Sequence, residues 1–217
     1  MFYIFVVLNI FYKMIKVGLS GNRYSGKSEI CNIFRKLTIP VFEADTVLKF
    51  IINHDITVTD QIRRKLPHVY NKSCYIEPKL VTKADFDTIV DCAQHELMMA
   101  YEKFSEKNKS SIYTIFHSSI LFERNWQKLM DKSIVVFCPK ITRMERCRDL
   151  TKNKVSDIAY LMRNEIDDLD KNKMANFVIH NYEGRLNHRP LDQIHQIDQM
   201  VIDSYLRSEQ SIVSKHY

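Results

Sequence analysis

The sequence predicts an α/β domain built on a mostly parallel sheet with helices on both faces. Three observations carry that prediction. Short apolar runs of strand type recur along the chain, amphipathic runs of helical spacing lie between them, and a glycine-bearing turn joins the first strand to the first helix. Ile15, Val17 and Leu19 alternate with Lys16, Gly18 and Ser20, the period of a strand. Ile30, Ile33, Phe34 and Leu37 follow at helical spacing, so a helix starts at the glycine turn. Thr38 to Phe42, interrupted by Pro40, ends that helix and reads as a second short strand running to Glu43-Ala44-Asp45. Residues 46–80 are mixed, with short helices and a turn near Pro67.

Thr82-Lys83-Ala84-Asp85 has the form of a capping box and opens a long helix. Phe86, Ile89, Val90, Ala93, Leu97, Ala100, Tyr101 and Phe104 stripe one face of it, and the polar run 103–109 ends it. The runs 112–116 and 134–138 read as strands, the second stopped by Pro139. A charged helical region, 140–172, carries Arg143, Arg146, Arg148 and Arg163. Residues 177–179 form a last strand, and Leu191, Ile194, Ile197, Val201 and Tyr205 stripe a C-terminal helix. There is no internal repeat and no low-complexity tract.

A chain of 217 residues suits one domain with insertions, or a core with a small lid. Its 45% hydrophobic and 27% charged residues exclude a disordered or fibrous chain. Five cysteines without a CxxC pair argue for reduced thiols in a cytosolic protein and against zinc. The net charge of +6 is dispersed along the chain, which leaves nucleotide, nucleic acid and a merely soluble surface all compatible with it. Residues 1–12 are apolar but shorter than the roughly 20 a membrane helix needs. They also lack the basic start and small-residue cleavage site of a signal peptide. Met14 directly precedes the first strand, so the working protein is expected to begin there, with residues 1–13 an extension of the reading frame.

The chain has only four glycines, and Gly18, Gly21 and Gly26 crowd the first turn. Gly21-Asn22-Arg23-Tyr24-Ser25-Gly26-Lys27-Ser28 fits G-x-x-x-x-G-K-[ST] in full. Glycines let consecutive N–H groups converge on one centre at a helix N-terminus, which makes an anion nest. Lys27 then reaches the β and γ phosphates, and the Ser28 hydroxyl ligates Mg²⁺. These eight residues, with Glu29 beside them, are the candidate nucleotide-binding set. The loop implies a nucleoside triphosphate and leaves the reaction open, because GTPases, ATPases and small-molecule kinases share it. Glu43 and Asp45 sit at the carboxyl end of strand two, where open α/β sheets bind ligands. A carboxylate there can orient an acceptor hydroxyl and take its proton, or cap the next helix.

With these residues in view, the chain resembles the dephospho-CoA kinase family, which uses ATP to phosphorylate the ribose 3′-hydroxyl of dephospho-CoA. The resemblance runs from about residue 15 to the end. It rests on the loop, on Glu43-Ala44-Asp45, on Ser119-Ile120-Leu121-Phe122-Glu123, on the arginine-bearing stretch from Arg143, and on Val178-Ile179-His180-Asn181. His95 falls where the family often has His-Pro. The chain departs from the family at Glu43, Glu96, Ser119 and His180, and at Phe137 where an aspartate is usual.

The resemblance implies a three-layer P-loop sheet with a helical substrate insertion and a small lid. The core would be 14–45, 111–142 and 174–217, the CoA-binding insertion 46–110, and the lid 143–173. It implies ATP and Mg²⁺ as cofactors, with Lys27, Asp45 and Arg146 catalytic; Arg163 and Lys171 are secondary lid candidates. Asp45, His95 and Glu123 would contact dephospho-CoA. It further implies a cytoplasmic monomer or small homo-oligomer, with neither nucleic acid nor membrane as partner. Two other readings stay open: another P-loop kinase of a nucleotide or small metabolite, and a degenerate nucleotide-binding protein without catalysis. Blander roles stand beside these. Any single lid charge is also readable as a solvated helix residue, Glu123 as a helix-start carboxylate, His117 and His180 as core histidines, and Trp126 and Met98-Met99 as packing.

Overall fold

The computed structural model describes residues 14–71, 75–151, 165–182 and 190–213. They fall into two compact units: the first takes the chain up to Val41 and from Asn108 onward, and the second is Phe42–Lys107. The expected extension 1–13 and Arg163 lie outside the described residues.

The sheet has five strands, β1 (Ile15–Ser20), β2 (Val41–Glu43), β3 (Tyr113–His117), β4 (Lys132–Phe137) and β5 (Phe177–His180), in the order β2-β3-β1-β4-β5. β1 is central and pairs in parallel on both sides, Val17 with Ile115 and Leu19 with Ile134. β4 and β5 are also parallel, with Phe137 opposite His180. Parallel pairing brings the carboxyl ends of β1, β4 and β5 to one edge: the connection from β1 runs to β2 on one side of it, and the connection from β3 crosses to β4 on the other.

Side-chain alternation assigns the faces. On one, Val17, Leu19, Ile134, Val136 and Ile179 pack with Ile30 and Phe34 of α1 (Lys27–Lys36) and with Ile194, Ile197 and Val201 of the C-terminal helix. That helix spans Pro190–Val213, and the buried Tyr113 hydroxyl donates to its Asp198 at 2.7 Å. Burial, then this hydrogen bond, pushes the Tyr113 hydroxyl well above its ordinary range. On the other face Trp126 meets Phe116 edge-on at 6.0 Å. Gly18 lies against Leu121 there: a Cβ on it would stand 2.8 Å from the Leu121 side chain. The glycine cluster of the sequence therefore serves two ends, close packing at Gly18 and loop geometry at Gly21 and Gly26.

The second unit is helical. It contains α2 (Ala44–His54), α3 (Ile56–Lys65) and α4 (Lys83–Lys107). Leu48, Ile51, Val58, Ile62, Ile89, Val90, Ala93 and Leu97 are buried in it, and Phe42 packs on Tyr101 and Phe104 with ring centroids 5.3 and 5.4 Å away. Asp55 caps α3 by accepting from the Val58 N–H at 3.0 Å. The expected capping box is present at α4. Thr82 donates from its N–H and hydroxyl to the Asp85 carboxylate at 3.0 and 2.7 Å, and the Asp85 N–H donates back to the Thr82 hydroxyl at 3.2 Å.

Those hydrogen bonds, and then His68, hold the Asp85 carboxyl below its usual range. Thr82→Ala, which removes a helix cap, should lower the melting temperature at neutral pH. A depressed folded pKa means that the carboxylate's share of the box contributes fully above the unfolded value of about 4 and is lost as pH falls through the folded one, while the Asp85 N–H bond to the Thr82 hydroxyl does not titrate. The difference between the thermal melts of the two proteins should accordingly narrow at low pH; an undiminished difference there would assign the loss to something other than the carboxylate.

Three expectations need correction. β2 stops at Glu43, and Ala44 and Asp45 already belong to α2, because the chain turns directly from sheet to helix. Phe86 and Met99 are exposed at 40% and 44%, since the buried stripe of α4 begins a turn later and leaves Met99 on the outer face. In 140–172, two helices are described, α5 (Lys140–Thr151) and α6 (Asp168–Met174); the C-terminal helix above is α7. Among the described residues no helix is long and apolar enough to cross a membrane.

Candidate nucleotide site

The turn between β1 and α1 is held in a conformation that few sequences allow. Gly26, the residue before α1, has φ of 90°, and Gly21 has φ of 156°. A Cβ on Gly26 would collide with the Asn181 side-chain amide, and one on Gly21 with the Val136 carbonyl. Glycine is required at both places by conformation and by space. Tyr24 takes the left-handed region without that freedom, at φ 62°. Tyr24, like Met144, packs against Cys147 of α5, and the hydrogen bond it shares with Cys147, with burial, pushes its hydroxyl up.

The carbonyls of this loop are turned toward the protein. Arg143 donates to the Arg23 carbonyl at 3.2 Å, and Asn181 to that of Ser25 at 2.9 Å. Arg146 donates to the Tyr24 and Ser25 carbonyls at 3.4 Å each and to the Asn181 carbonyl at 3.0 Å. The Asn22 carbonyl accepts from the Ser25 N–H at 3.2 Å and from the Lys27 ammonium at 3.0 Å. These contacts fix the path of the loop, and the first amides of α1 point along the axis of that helix. The Lys27 ammonium reaches back across the turn to the Asn22 carbonyl, and a helix N-terminus with a lysine beside it suits an anion. The buried Ser20 and Ser25 hydroxyls have no hydrogen-bond partner among the described residues. Those donors suit an anionic or hydrated ligand.

Further along the same edge, Phe137, His180 and Tyr182 form a ring cluster with centroids 5.5 to 6.0 Å apart. Gln193 of α7 fixes the His180 backbone, accepting from its N–H at 2.8 Å and donating to its carbonyl at 3.0 Å. Burial pushes the Cys138 thiol up, so this cysteine is no ready nucleophile. Lys171 is sealed at 1% exposure with its ammonium 2.6 Å from Glu123, which corrects the reading of that lysine as a solvated charge. Glu123 is correspondingly the anchor of an ion pair and does not start a helix.

Residues 15–187 match the family model for dephospho-CoA kinase. The chain belongs to the dephospho-CoA kinase family. A dephospho-CoA kinase from Protochlamydia amoebophila is 22% identical over 194 residues, covering 85% of this chain and 93% of that protein. The structure of the dephospho-CoA kinase from Campylobacter jejuni has a TM-score of 0.56 at 17% identity, covering 86% of this chain and 96% of that one. A crystal structure from Thermus thermophilus gives 0.73 at 16% identity, covering 86% and 97%. At such identities the structures establish the shared fold.

For this dephospho-CoA kinase family member, the first unit brings the loop 21–28, Arg146 and the Glu123–Lys171 pair together on one body. Ser28 and Glu29 are exposed in the first turn of α1. Asp45, half-buried in the first turn of α2, and His95, exposed on α4, belong to the second unit. The grip of Arg143, Glu165, Asp168 and Asn181 on the loop was not foreseen from the sequence. For Asn181 its place directly after the last strand was an available signal.

Proposed function

We propose that this chain transfers the γ-phosphoryl group of ATP to the ribose 3′-hydroxyl of dephospho-CoA, giving CoA and ADP. The observation that carries this reading is the loop 21–28 at the start of α1, whose carbonyls are held by Arg143, Arg146 and Asn181 and which Lys27 crosses. Lys27 and the loop amides bind the β and γ phosphates, and Arg146, fixed beside them, meets charge on the transferring group. Ser28 would hold Mg²⁺, which when bound neutralises charge on the phosphates. Asp45 orients the acceptor hydroxyl and takes its proton; with a loose transition state, orientation matters more than base strength.

In this reading residues 46–110, with His95, take the CoA moiety. Residues 143–173 close over ATP and exclude water, and Glu123 bears on the acceptor through its pair with Lys171. The four described cysteines are buried and in no disulfide, which suits a reducing cytoplasm. The test is incubation of the full chain with ATP, Mg²⁺ and dephospho-CoA, with product mass read directly. CoA should form in step with ADP. ATP bound but never consumed would favour a non-catalytic role, and transfer to a different alcohol would refute the acceptor.

A further inference from the structure

Arg143 is 2% exposed, and its guanidinium is met from four directions. Its Nε donates to the Cys138 carbonyl at 3.1 Å, at the end of β4. One terminal nitrogen donates to the Arg23 carbonyl at 3.2 Å and to Glu165 at 2.9 Å, and the other to Asp168 at 2.8 Å. The two carboxylates then return to the loop. The second oxygen of Glu165 accepts from the Arg23 N–H at 2.6 Å. That of Asp168 accepts from the Asn22 side-chain amide at 2.8 Å, an amide that also donates to the Ile166 carbonyl at 3.0 Å. Two closed rings of charge-assisted hydrogen bonds thus run through one guanidinium, joining 22–23 to 165–168.

We propose that Arg143 is a positioning residue for the phosphate loop: it holds Asn22 and Arg23 in the polyphosphate-binding form before nucleotide arrives and fastens the segment 165–168 to them. It acts through the loop and touches no substrate, and the inference rests on the reading of 21–28 as the phosphate site. A planar fork reaching a carbonyl and two carboxylates is a task for arginine; a lysine ammonium carries the charge without the geometry. Removing the guanidinium also leaves Glu165 and Asp168 as two nearly buried carboxylates without their cation, beside a site for anions. Loosening of the loop and uncompensated charge act in the same direction, against ATP.

The test compares full-length Arg143→Gln and Arg143→Lys with wild type. Hydrogen exchange of residues 21–28 in the nucleotide-free protein and the Kd values for ATP and dephospho-CoA are measured. In both variants loop exchange should accelerate and the ATP Kd rise by roughly tenfold or more, while the dephospho-CoA Kd holds, because only the fraction of loops in the competent form binds nucleotide. A merely structural role would weaken both ligands together. Arg143→Lys with wild-type exchange and affinity would overturn the proposal, as would unchanged loop exchange in Arg143→Gln. Should Arg143→Gln not fold, Asp168→Asn opens one of the two rings: faster exchange at 22–23 supports the proposal and unchanged exchange refutes it. A wild-type chain that makes no CoA would sink the proposed reaction and leave the exchange result readable by itself.

Discussion

Lys27→Ala is expected to lower turnover on the order of 10³-fold or more while the protein still folds. The Lys27 ammonium is the cation laid across the mouth of the loop, 3.0 Å from the Asn22 carbonyl. Phosphoryl transfer spreads negative charge over the moving group, and a cation fixed in advance needs no reorganisation when that charge appears. Alanine is a good helix former and Lys27 opens α1, so the secondary structure should persist. Circular dichroism melts against steady-state CoA formation separate the two effects. Turnover near that of wild type would show that the phosphates lie elsewhere.

Asp45→Asn is expected to reduce kcat by roughly 10²- to 10⁴-fold and to leave the ATP Kd within about threefold of wild type. Asparagine keeps the size and can still hydrogen-bond, but it takes no proton and carries no charge. The side chain sits in the first turn of α2, a position that suits a carboxylate. Glu43, directly before that helix, makes no side-chain cap, so the older alternative of a pure N-cap loses its clearest partner at that end. Loss of ATP affinity instead of turnover would reassign Asp45 to metal holding or to structure. Single-turnover kinetics with titrated ATP distinguishes these outcomes.

What the sequence made legible was what is local. A strand, a loop of fixed spacing and a helix are written within residues 15–37, and the alternation of periods carried the succession of the five strands along the chain, though not their order in the sheet, and the long helix α4. Boundaries moved where one residue does two jobs: Asp45 ends a strand-like run and also starts a helix. Stripes misled at their ends, as with Phe86, because periodicity gives the direction of a side chain and not whether a neighbour covers it.

The charges were the hardest to read. Arg143, Arg146 and Arg148 stand on one helix, yet Arg148 is solvated beside Asp149 while Arg143 is sealed. Its partners are a carbonyl 120 residues away in sequence and carboxylates 22 and 25 residues on, distances that carry no periodic signal. Lys171 and Glu123 were both singled out from the sequence, but their mutual pairing needed the fold.

The long separations between the loop and the groups that grip it have a consequence for synthesis. Residues 21–28 leave the ribosome early, whereas Arg143, Arg146 and Asn181, which turn the loop's carbonyls, follow 120 to 156 positions later. At translation rates of about 5–20 residues per second, the nascent glycine turn waits on the order of ten seconds for them. If these groups set the loop as proposed, affinity for ATP is acquired late, and a prematurely terminated product carries the whole motif without the contacts that shape it.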